Sequence, residues 1–347
     1  MAPSRRSDTG PSLGSRRLRA LFLDLLDRSP TAAEREHWRG RDAHELLDTL
    51  TASLEFWENW LERELYYFLL VVSFRPTSER VLEIPSELAG GHIGVREALR
   101  RIALSPSFDR RNPGADTFCT VMLEQFLGIV VQEKPRLLES AKRLYDGRSG
   151  KFLGGSGRSQ ADVVRLVIDD PGTLRFYLAR LHRSFLRTEA PERELRRLSE
   201  RLAEGHGALR SILREWGRSD AYEARLDSRR PLSNRAFTRS LFVDLTDALP
   251  SPEEEQRMRA ALDGLANPGP LRAVVARLLL DSGTTRIPAR DAIEDPRAWI
   301  RELFDHLLTR QPTEAELDAF VSSLADPACR PETVVYAILS DPAYPTW

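Results

Sequence analysis

The chain has 347 residues, 41% of them apolar, only two cysteines, and a formal net charge of −1 from 51 basic and 52 acidic side chains. This balance excludes a disordered or strongly charged polypeptide, and the ordinary Gly and Pro and low Cys contents exclude collagen-like and disulfide-scaffold architectures. At roughly 100–200 residues per domain, the length predicts about two domains or one extended repeat array.

Residues 1–15 are rich in Pro, Ser, Gly and Arg and predict a disordered N-terminal arm. Met1 to Arg19 carries no apolar signal-peptide core, and no later stretch is apolar for long enough to span a bilayer. The expectation is a soluble, cytoplasmic chain with no membrane span. Arginines dominate the basic set, with Lys134, Lys142 and Lys151 the only lysines. Because acidic residues match them along the whole chain, this reads as codon bias and not as a nucleic-acid surface.

From residue 16 onward one pattern recurs. Leu21, Phe22, Leu25 and Leu26 sit at i, i+1, i+4 and i+5, which is a helical stripe. Pro30 stops that helix, Thr31 offers an N-cap oxygen to a second helix, and Glu34 completes a capping box. Looser copies begin at Tyr67, running to Pro76-Thr77, at Met122, where Val131 replaces the Pro, and at Leu181, running to Pro191 and Glu194. Leu241 leads to Pro250, Ser251 and Glu254, and Leu303 leads to Pro312, Thr313 and Glu316. A third helix closes several copies and ends in Ser or Asp with an aromatic three residues on: Ser53 to Phe56, Ser105 to Phe108, Ser219 to Tyr222 and Asp341 to Tyr344. The fold class predicted is all-α, a tandem array of about six three-helix modules that is either solenoid-like or two three-module lobes. Modules 1–3 occupy 16–145, a Gly-rich loop with a composition shift occupies 146–160, and 161–347 holds the end of module 3 and modules 4–6.

Two features resemble known families. Leu21 to Glu34, followed by Leu46 to Trp57, is similar to the opening of the planctomycete cytochrome-C-associated proteins, with their "YLDLTGRxPTxxE" and "LLxSPEF" elements. Phe126-Leu127-Gly128-Ile129-Val130-Val131-Gln132 resembles the run that in those proteins leads into a Cys-x-x-Cys-His haem-attachment motif. Here that place is Glu133-Lys134-Pro135-Arg136-Leu137, without either cysteine or the histidine, so the resemblance implies the fold and removes the haem. The later copies look like a short helical repeat of bacterial surface and linker proteins, which implies an interaction module.

Chemistry-bearing residues are sparse. The six histidines form no HExxH, HxH or i, i+4 pair, so no metal site is expected. Asp24, Asp244 and Asp305 fall at or beside one position of the repeat and read as solvated residues or partners of arginines in a neighbouring copy. No catalytic residue and no cofactor is predicted. Arg148, Lys151 and Arg158 in the Gly-rich stretch are candidate anion ligands. Trp57, Trp60, Tyr66, Trp216 and Trp299 are candidate anchors for a protein partner, although Trp at helical spacing normally buries. The function expected is a non-catalytic scaffold or adaptor that binds a protein partner, with self-association open. The alternative is an accessory subunit of a redox or hydrolytic system whose active site or cofactor a partner supplies.

Overall fold

A computed structural model describes residues 11–71 and 74–346. The protein is all-α apart from one two-stranded hairpin. Among the described residues no helix is long and apolar enough to cross a membrane. The chain forms two compact units, residues 1–50 with 226–347, and residues 51–225. The break expected at 146–160 therefore lies inside the second unit, and the first unit is assembled from the two ends of the chain.

Residues 1–10 of the expected arm lie outside the described set. Residues 11–15 are fixed, because Leu13 is buried and its N–H and C=O bond Arg41 and Gly40. The first unit is built around the helices Ser15–Leu26 and Asn234–Thr246. Every residue from Leu18 to Leu26, and from Ala236 to Val243, is buried. These helices are covered on all sides, not amphipathic as their stripes suggested, so their charged residues must find partners inside. Leu23 shares one core with Phe237, Leu241, Ile300, Phe304 and Ile338.

The step that ends each head segment has a common cause. Asp27, Leu70, Gly128, Arg187, Asp247 and Thr309 all take left-handed backbone, the turn that lets a helix stop and the chain reverse. The second of these lies at Leu70, three residues before the stop that the head segment expected from Tyr67 would give. Its helix is Leu54–Leu69. Capping boxes form at Thr31/Glu34, Ser251/Glu254 and Thr313/Glu316. In two of them an arginine one residue past the turn grips the capping carboxylate with both nitrogens: Arg28 to Glu34 at 2.7 and 2.8 Å, Arg310 to Glu316 at 3.0 and 2.7 Å. The same guanidinium lies over the ring of Phe22 or Phe304. An "Arg-x-Pro-Thr-x-x-Glu" string is thus one bonded unit. The closing Ser-x-x-aromatic signal is an N-cap as well. Ser53, Ser105 and Ser219 accept from the backbone N–H of Phe56, Phe108 and Tyr222, whose rings are buried.

The second unit has an aromatic core in which Phe68 stacks on Phe126 at 4.3 Å and Phe108 meets Phe118 edge-on at 5.6 Å. A π-helical turn over Met122–Phe126 follows the helix Gly114–Val121. The Gly-rich stretch, expected as a flexible loop, is an antiparallel hairpin pairing Gly150–Phe152 with Gly155–Gly157. Leu153 and Gly154 both have positive φ, as a two-residue primed turn requires. Two of its glycines are closely packed: a Cβ on Gly155 would stand 2.3 Å from a Leu166 methyl, and one on Gly157 2.5 Å from Asp162 Cβ.

Candidate binding cleft

Burying Arg19 and the Asp at position 244 in adjacent helices dictates the chemistry of the first unit. Arg19 reaches Asp244 with both terminal nitrogens, at 3.2 and 2.9 Å. The carboxylate also accepts from Ser29 Oγ at 3.2 Å and Tyr344 Oη at 3.0 Å, and it lies 3.1 Å from His306 Nε2. Burial alone raises a carboxyl pKa, but the Arg19 guanidinium and the His306 contact overcome it and hold Asp244 well below the usual carboxylate range. Burial and the neighbouring Asp244 charge push the Tyr344 phenol far up, so it stays a neutral donor.

His306 Nε2 is also 2.8 Å from Arg35 Nη1. An arginine only donates and an ionised aspartate only accepts. The ring nitrogen therefore either gives a proton to Asp244 or takes a bond from Arg35, and cannot do both. Among the described residues the other side-chain hydrogen bond of Arg35 goes to Pro30 O, at 2.9 Å, and no carboxylate pairs with it. Burial lowers its pKa, opposed by the more distant Asp244 and Asp247.

Arg35 and His306 line a cleft of about 330 Å³. Its apolar wall includes Ile287, Pro288, Trp299, Leu303 and Val335, and its rim carries Arg286, Asp247 and Glu302. Asp247, which ends the helix Asn234–Thr246 in left-handed backbone, accepts from Ala32 N at 2.6 Å and pairs with Arg286 at 2.9 Å. Two rim charges are thereby used. Glu302 is exposed.

The residues singled out in the sequence scatter. Trp57, Trp60 and Trp216 are buried and belong to the core of the second unit, Trp60 donating to Tyr177 Oη at 2.9 Å. They are not exposed anchors, because each sits on the inner stripe of its helix. Tyr66 is exposed, and Trp299 is half-buried in the wall of the cleft. Arg148, Lys151 and Arg158 are exposed on or beside the hairpin. Asp24 pairs with Arg230 at 3.1 Å and Asp305 with Arg39 at 3.2 Å, so all three aspartates of the repeat position meet arginines distant in sequence. His182 is buried against Thr188 O, and His206 reaches Gly91 O. Burial raises the Cys119 thiol to about 12, far from a reactive thiolate. Among the described residues no group of three or more His, Cys, Asp or Glu is placed to hold a metal ion.

Sequence reasoning singled out Asp244, counted His306 only among six histidines without metal spacing, read Tyr344 only as a closing aromatic, and left Arg19, Ser29 and Arg35 unmarked. The available signal was a charged residue set inside an unbroken apolar run, Leu241-Phe242-Val243-Asp244-Leu245. Comparison of the chain with protein-family models, curated proteins and solved structures finds no match.

Proposed function

We propose that the protein is a helical scaffold or adaptor that holds a protein partner and does not itself transform a substrate. The observation that carries this reading is the outer face of the helix Gly269–Leu280. Val275, Ala276, Leu279 and Leu280 bury into the core, while Val274 and Leu278, one turn apart, are 50% and 65% exposed. Two large apolar side chains at i and i+4 are the anchors by which an amphipathic helix of a partner is gripped. The Asp244 cluster supports the same reading, since Arg19, Ser29 and Tyr344 all donate to its carboxylate and tie it down as an internal clamp.

The test is affinity capture of tagged full-length chain from its native host, beside the Val274→Asp/Leu278→Asp double variant. One stoichiometric protein that accompanies the wild type and is lost from the folded variant supports the proposal. A partner retained equally by the variant, or a metal or haem at about one per chain, contradicts it.

A further inference from the structure

The cleft of the first unit carries an inference independent of the partner face. Arg35 is a half-buried guanidinium that among the described residues pairs with no carboxylate, held by one carbonyl and by a histidine nitrogen already shared with Asp244. Arginine forks match carboxylates, and a poorly solvated fork without a counter-ion favours an incoming anion. Beside it stands an apolar wall of Trp299, Ile287, Pro288 and Val335, of a volume suited to a small molecule. The rim limits the charge the ligand can bring: Arg286 is spent on Asp247, and Glu302 adds a negative charge. A ligand with one negative charge fits, whereas a phosphate or a dicarboxylate meets repulsion.

We propose that this cleft binds a monocarboxylate with an apolar body, its carboxylate on the Arg35 guanidinium and its body against Trp299. Binding resolves the conflict at His306. Once Arg35 turns to the ligand, Nε2 carries its proton toward Asp244 and the shared contact becomes a single hydrogen bond. The ligand thus completes the polar network without breaking the Arg19–Asp244 pair.

The experiment is calorimetric titration of the full-length protein with 3-phenylpropionate, with its neutral isostere 3-phenylpropanamide, and with inorganic phosphate. The acid binds, the amide binds at least about tenfold more weakly, and phosphate gives no saturable heat. Arg35→Gln removes the difference between acid and amide, and Trp299→Leu weakens both. The acid–amide comparison uses the wild type alone, so a variant that fails to fold leaves the test intact. Equal affinity for acid and amide, phosphate binding as tight as the acid, no heat with the acid, or acid binding unchanged in both folded variants overturns the proposal.

Discussion

Replacing Asp244 by Asn keeps the shape of the side chain and removes its charge. Arg19, whose side chain is 7% exposed, then lies buried without a counter-ion. One of the two oxygens becomes an NH₂ group facing donors, since Arg19, Ser29 and Tyr344 all point N–H or O–H at Oδ1 or Oδ2. Removing one member of a buried, hydrogen-bonded pair costs about 3–5 kcal/mol. For a unit of about 170 residues each kcal/mol moves Tm by roughly 2–4 °C, so the unfolding of the first unit should shift down by roughly 6–20 °C. Circular dichroism melts at pH 7 measure it. The Arg19→Met/Asp244→Leu double variant should lose less than the sum of Arg19→Met and Asp244→Leu, because it leaves neither charge stranded. A loss under about 1 kcal/mol for Asp244→Asn, or additive double-variant losses, would refute the clamp.

Further outcomes follow from the same geometry. Because the folded Asp244 carboxyl lies below its unfolded value of about 3.9, the unfolded chain takes up the proton first as pH falls. Its contribution is complete above about pH 5 and is lost progressively below about pH 4, down through the folded carboxyl's much lower value, so the gap between the urea midpoints of wild type and Asp244→Asn should start to narrow below about pH 4 without closing by pH 3. Glu34→Gln should cost about 2–3 kcal/mol and Glu316→Gln about 1, since Arg28 is 8% exposed and Arg310 is 30% exposed and also pairs with Asp341; chemical denaturation ranks them. Gly128→Ala should destabilise the second unit by about 2 kcal/mol or more, because φ is +68° and the new methyl would stand 2.5 Å from the Phe176 ring. Gly40→Ala, with φ of +77° and open space, should cost about 1, and thermal melts separate the two.

The helices, their stops and their caps were legible because each is written in residues close in sequence. Thr31 and Glu34 are three apart, and the bond between them needs nothing else. The register at Leu70 was misread because Val71 continues the apolar run past the true helix end, and a left-handed leucine leaves no compositional mark. The hairpin was hidden by its glycines, which suggest flexibility where Gly155 lies against Leu166 and Gly157 against Asp162. Least visible was the pairing of Arg19 with Asp244, a choice among many arginines that only the joining of the two chain ends in one core decides. Periodicity reports that a face is buried. It does not report what buries it, and so Trp57 and Trp216 could be named but not placed.

Photocrosslinking from position 278 in living cells of the native host measures the proposed partner contact where it would occur. A benzophenone side chain replacing Leu278, which is 65% exposed, should yield one discrete heavier adduct that disappears when Val274→Asp is added to the same chain. No adduct, or a diffuse ladder that Val274→Asp leaves unchanged, would contradict a scaffold that grips its partner on this helix.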